Sequence, residues 1–187
     1  HNLLRMLRHF LKNLHGGATP SIRLNKWFYA GFSVKELQKQ ARQFVDRYLV
    51  QRLSQEGLRV LEHCRRQGCE IVLLSGAPTI FVERLARHLH VRFFFGAELQ
   101  HSDEFFTGEL ANPHPFGPGK RDMLLELHAR RAIDFSSSLA FANHHSDAHH
   151  LELFGRPIAV NPTFRLARIA RRRGWEIQFF RSGERVR

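Results

Sequence analysis

The 187-residue sequence has two cysteines, two tryptophans, two tyrosines and two methionines, and its 17 Asp and Glu are outnumbered by 29 Lys and Arg. Cys64 and Cys69 form neither the paired spacing of a zinc site nor a disulfide framework, so a reducing compartment is expected. The apolar stretch from Leu3 to Leu14 is too short to span a membrane and is interrupted by Arg5, Arg8 and Lys12. No signal-peptide cleavage pattern follows it, and the expectation is a cytoplasmic protein. No internal repeat or low-complexity linker occurs. The five aspartates are Asp46, Asp103, Asp122, Asp134 and Asp147, and none has another two positions away.

What is abundant is phenylalanine, 17 residues within a 43% apolar composition, which indicates a packed core and not a disordered chain. Residues 1–68 read as helical. Gly16-Gly17 breaks a first helix over 3–14 from a second over 22–30, and Ser33 with Glu36 reads as a capping box for a long helix. Val34, Leu37, Ala41, Phe44, Val45 and Tyr48 would form its apolar face. From residue 70 strands alternate with helices: strands over 70–74, 91–95, 138–142, 157–160 and 177–180, and helices over 79–90, 120–131 and 164–173. A hairpin is expected between Glu98 and Leu110. Buried strands separated by helices predict an α/β fold with a Rossmann-like parallel sheet.

Three segments each place a polar group just past or near an apolar element. The run Ile71-Val-Leu-Leu-Ser75-Gly-Ala-Pro reads as a buried strand turning sharply into a helix, where a hydroxyl and the N–H groups near Gly76 can receive an anion. Lys120 follows Gly117-Pro-Gly and opens a helix, a position where a cation opposes the macrodipole unless an anion is near. Asn143 and Asp147 follow the strand over 138–142 and offer two hard oxygen donors of the type Mg²⁺ prefers. Taken singly, Ser75 reads as a helix cap, Lys120 as a solvated lysine and Asp147 as a cap for the helix through Leu151 and Glu152. In this order they read as one phosphate site.

The formal net charge is +12, and Arg165, Arg168 and Arg172 share one helical face beside Arg171 and Arg173. Such a face can meet nucleic acid or an anionic lipid surface, but without interleaved aromatics it reads first as a solvated face. A positive field also steers anionic substrates.

The order strand-Ser75, Lys120, strand-Asn143-x-x-x-Asp147, then Gly155-Arg-Pro-Ile-Ala-Val-Asn-Pro162 resembles the haloacid-dehalogenase superfamily, and most closely its phosphoserine-phosphatase-like branch. The resemblance covers about residues 70–180. It implies a core over residues 51–187 and a helical cap over residues 1–50. It also implies phosphomonoester hydrolysis through an aspartyl-phosphate, acting on a small phosphorylated metabolite or lipid phosphate. Ser75 and Gly76 would bind phosphate, Lys120 would be the cation on the phosphoryl group, and Asn143 and Asp147 would hold Mg²⁺. The family's Asp-x-Asp nucleophile motif is absent, so the resemblance implies an N-terminally truncated chain whose missing strand lies centrally. Asn143 also stands where the family usually has an aspartate. Two alternatives follow: an inactive relative binding a phosphorylated ligand or acidic partner, and a transition-metal site built from His144, His145, His149 and His150.

Overall fold

The computed structural model describes residues 26–181; the expected helix over 3–14, the Gly16-Gly17 break and the start of the second helix lie outside them. The described residues pack as two compact units, one of 26–51 with 71–114, the other of 52–70 with 115–181.

In the first unit a short 3₁₀ turn, Trp27–Tyr29, precedes helix α1, Val34–Phe44. The expected capping box does not form. Ser33 holds the N-cap position with extended backbone, but its side chain makes no capping bond. Ser33 instead bridges Phe105, and the Val34 N–H donates to the Glu104 carbonyl at 2.8 Å, so a neighbouring hairpin fixes the helix start. Leu37, Ala41 and Val45 are buried as the pattern requires, while Phe44 and Tyr48 are exposed and stack on each other at 5.3 Å. Beyond Phe44 the helix widens into a π turn, Val45–Leu49, then tightens over Val50–Arg52, which rotates Tyr48 off the apolar stripe.

Strands β1, Val72–Pro78, and β2, Phe93–Ala97, pair in parallel across helix α3, Thr79–His88. The expected hairpin is present as β3, Leu99–Ser102, and β4, Phe105–Leu110, paired antiparallel. Leu37, Leu99 and Phe106 form this unit's core, with Tyr29, Ile80 and Phe81 against it. The first strand does not stop at Leu74 but runs to Pro78, so Ser75 lies within it. Leu74 pairs with Phe95 and Pro78 with Ala97, four steps on β1 against two on β2, and the excess forms a bulge at Ser75–Ala77. Gly96 permits it: a Cβ there would lie 2.7 Å from Thr79 Cα and 2.9 Å from the Ala77 carbonyl oxygen.

The second unit opens with helix α2, Gln55–Arg66, capped by Ser54, whose Oγ accepts from the Gly57 N–H at 3.3 Å. Helix α4, Pro118–Arg131, begins two residues before Lys120 because Gly117, at φ 55°, turns the chain and Pro118 fits the first helical position. Then come β5, Leu139–Ala142, a short helix α5, Ala148–Leu151, β6, Arg156–Val160, helix α6, Phe164–Arg173, and β7, Glu176–Gln178. The three strands are parallel, in the order β5-β6-β7. Ala140, Leu151, Ala159, Leu166 and Ala170 make the core between sheet and helices. The small residues let α6 lie close to the sheet. Gly155 is required at the entry to β6, since a Cβ there would overlap the Ser136 carbonyl. Among the described residues β1 pairs only with β2, and β5 only with β6. No helix among them is long and apolar enough to cross a membrane.

Candidate active site

In an open parallel sheet, ligands bind beyond the carboxyl ends of the strands. At that edge of the second unit β5 ends in Ala142, and the exposed Asn143 follows. The Asn143 carbonyl accepts from the Thr163 N–H at 2.8 Å, which ties this loop to the start of α6. The chain then passes through a 3₁₀ turn, His145–Asp147, into α5.

Asp147 sits where a cap for α5 would sit but makes no capping bond. Its Oδ1 instead accepts from Lys120 Nζ at 2.6 Å, and the two side chains are only 9% and 13% exposed. The anion that offsets a cation in the first turn of α4 is therefore Asp147. Removing either partner would strand a charge in a medium that screens it poorly. His150 lies on the same carboxylate, with Nδ1 4.0 Å from Asp147 Oδ1, beyond hydrogen-bond reach, and that nitrogen is buried without a partner. Burial, reinforced by the Lys120 charge and His149 and opposed by Asp147, pushes the His150 imidazole down to about 4, so it is neutral near pH 7.

The four histidines do not assemble as the transition-metal alternative requires. His144 Nδ1 accepts from the Ser146 N–H at 3.2 Å and serves as a local cap, its ring 4.1 Å from that of His145. His150 faces inward to Asp147, whereas His149 is exposed. Among the described residues no group of three or more His, Cys, Asp or Glu side chains is placed to hold a metal. Asn143 and Asp147 supply two hard oxygen donors on one loop, which fits part of the shell of a Mg²⁺ ion and suits a softer metal poorly.

Ser75 and Gly76 belong to the other unit. The bulge gives Ser75 a local task, since its Oγ accepts from the Ala77 N–H at 3.1 Å, and the turn leads directly into α3. The structure thus brings Lys120, Asp147 and His150 together and places Asn143 on the same loop as Asp147. Two contributors escaped the sequence reading. Gly96 carried a legible signal, an isolated glycine in an apolar strand, which marks close backbone approach. His150 carried none, because nothing in its spacing separates it from His149. A depression of about 430 Å³ lined by Phe154, Arg156, Pro157, Trp175 and Glu176 lies at the amino ends of β6 and β7, away from these residues. Asn143 and Asp147 lie beyond the carboxyl end of β5, at the opposite edge.

A profile described as haloacid dehalogenase-like hydrolase matches residues 2–152. Phosphoserine phosphatase SerB1 of Mycobacterium tuberculosis is 30% identical over 155 residues, 82% of this chain and 50% of that protein. The chain thus spans about half the length of the curated relatives it matches. A protein of unknown function from Bordetella pertussis Tohama I superposes with a TM-score of 0.77 at 21% identity, over 90% of this chain and 78% of that one. A HAD-family hydrolase of Salmonella enterica serovar Typhi does so with a TM-score of 0.68 at 20% identity, over 93% and 57%. These two likenesses bear on the fold, and the fold is α/β and HAD-like. The chain belongs to the haloacid dehalogenase-like hydrolases, and within them it is similar to the phosphoserine-phosphatase-like proteins.

Proposed function

We propose that the whole protein is a Mg²⁺-dependent phosphomonoester hydrolase in which this chain supplies the phosphate-binding and metal-holding groups. The observation that carries the reading is the buried Lys120–Asp147 pair at the carboxyl edge of the parallel strands. A buried ammonium beside a carboxylate is a preorganised charge donor for phosphoryl oxygens. In the reaction an aspartate oxygen attacks phosphorus, the alcohol leaves with a proton, and water then cleaves the aspartyl-phosphate to release phosphate. The sequence holds no Asp-x-Asp, so in this reading the nucleophile and the acid that protonates the leaving alcohol come from residues upstream of His1.

Lys120 neutralises the phosphoryl oxygens and holds Asp147 in place. Ser75 Oγ and the Gly76 N–H donate to equatorial oxygens. Asn143 and Asp147 would hold Mg²⁺, which when bound would neutralise charge on the phosphoryl group. Residues 1–50 would form the cap that selects the alcohol, and residues 51–187 the core. The substrate class is a small phosphorylated metabolite or a lipid phosphate, and the supporting kinship is to a phosphoserine phosphatase.

The test is hydrolysis of p-nitrophenyl phosphate by the longer protein with Mg²⁺ saturating. Lys120→Ala should lower kcat by at least about a hundredfold, as loss of one preorganised donor does. Unchanged kcat would overturn the assignment. Asn143 in the family's aspartate position favours a second reading, an inactive domain that binds a phosphorylated ligand. Absence of Asp-x-Asp from the upstream sequence would select it.

A further inference from the structure

The basic helix α6 turns an exposed face away from the sheet. Leu166 and Ala170 are buried against the sheet, and at 100° per residue Phe164, Arg165, Arg168, Arg171 and Arg172 fall within an arc of about 120° on the opposite side. All five are exposed, and no ion pair joins these four arginines to an acidic side chain among the described residues. Arg173, off this arc, is paired with Glu152 at 3.1 Å and lies over the Trp175 ring. Phe164 opens the arc and Phe179 follows β7; at 75% and 76% exposure they are the most exposed large apolar residues described. They share an edge: Val160 and Gln178 are register partners, Phe164 comes four residues after the first and Phe179 one after the second. The edge is that of the candidate site, because Thr163, next to Phe164, is hydrogen-bonded to Asn143.

We infer that this face docks on an anionic lipid surface, with Phe164 and Phe179 entering the interfacial zone, the arginine arc on the lipid headgroups, and the carboxyl edge of β5-β6-β7 turned toward the membrane. Complementarity of two kinds supports this docking. Four arginines on one face, with no acidic partner among the described residues, in a chain of net charge +12 match a surface of negative potential. Two phenylalanines, with no polar atom to hydrate, gain by leaving water for the headgroup–acyl boundary. Membrane binding by a soluble face requires two such signals together, and both are here. A single-stranded nucleic acid would need aromatics along the cationic track to stack successive bases, and these rings stand at its end. The inference does not depend on catalysis.

The test is co-sedimentation of the chain with vesicles of phosphatidylcholine alone and with phosphatidylglycerol at about a third of the lipid. Binding to the anionic vesicles only, weakening as salt rises, is expected. Replacing Arg165, Arg168, Arg171 and Arg172 with Gln should lower affinity by about fivefold per arginine. Phe164→Ser with Phe179→Ser should lower it at least tenfold with the salt dependence kept. All these positions are exposed, so circular dichroism and melting should be unchanged. In Phe179→Trp, new fluorescence quenched by brominated lipid would place that ring in the bilayer. Equal binding to both vesicles, no effect of either variant set, or an unquenched tryptophan would overturn the proposal. So would tighter binding to a single-stranded oligonucleotide, unaffected by the Phe substitutions, which would assign the arc to nucleic acid.

Discussion

Lys120 Nζ lies 2.6 Å from Asp147 Oδ1, joining the first turn of α4 to the residue before α5, and both side chains are largely buried. A pair of this kind is costly to break and cheap to replace. Lys120→Met, which keeps the aliphatic stem, should destabilise the chain by about 3–5 kcal/mol by leaving Asp147 charged and unpaired. Lys120→Met combined with Asp147→Leu should recover most of that loss. Urea unfolding of the wild type and both variants checks it, and a single-variant loss below about 1 kcal/mol, the value of an exposed pair, would contradict the burial argument.

His150 predicts a second dependence, on pH. Its imidazole titrates at about 4 in the folded chain against 6.5 ordinarily, because burial and the neighbouring Lys120 and His149 disfavour its charge more than Asp147 favours it. The unfolded chain therefore binds the proton more readily. Stability from this group is complete above pH 6.5, declines as pH falls toward about 4, and changes no further below that. The decline should reach at most about 3 kcal/mol, and His150→Leu should flatten it. Stability curves from pH 8 to pH 4 that are parallel for the two proteins would exclude the mechanism.

Much of this architecture was legible because its signals are periodic. The helix over 164–173, the hairpin after Glu98 and the parallel strands after residue 70 all follow from apolar spacing and turn residues, and the structure has them. Ser33 and Asp147 show why the rest was not. Both stand where a cap belongs, and both are taken by partners far along the chain, Phe105 and Lys120. A propensity describes a residue's local options, and tertiary pairing outbid the local one at each position. The break in the apolar face after Leu37, Ala41 and Val45 has a similar origin, in a π turn that no composition signals. Ser75 is a candidate by its order in the chain, whereas the bulge in which it sits depends on Gly96, 21 positions later and on another strand.

Gly96 carries the third prediction. Its missing Cβ leaves room for Thr79 Cα and the Ala77 carbonyl, both backbone atoms that cannot swing aside. Gly96→Ala should therefore push the Ser75–Ala77 bulge away from β2, at a cost of about 1–3 kcal/mol by overpacking. In hydrogen exchange the loss should concentrate at the amides of Ala77 and Thr79, which flank Pro78. Unchanged stability and exchange would mean that the bulge has slack the structure does not show.

The fourth concerns Asn143, whose backbone carbonyl is held by Thr163 while its side chain is exposed. Asn143→Asp keeps shape and backbone bonding and adds an anionic oxygen on the loop of Asp147. Without metal the two carboxylates repel, and stability should fall by a few tenths of a kcal/mol, as for like charges near a surface. With Mg²⁺ the added charge should tighten binding about tenfold, since affinity for hard cations rises with the number of charged oxygens. His145→Ala with His149→Ala should leave Mg²⁺ binding as it was, because these rings are not oxygen donors and do not join the Lys120–Asp147 pair. Calorimetric titration of the three proteins with Mg²⁺ and Zn²⁺ separates the possibilities. Mg²⁺ affinity indifferent to Asn143→Asp, together with Zn²⁺ binding that vanishes with the histidines, would move the metal from this loop's oxygens to its imidazoles and remove the ground for Asn143 as a ligand.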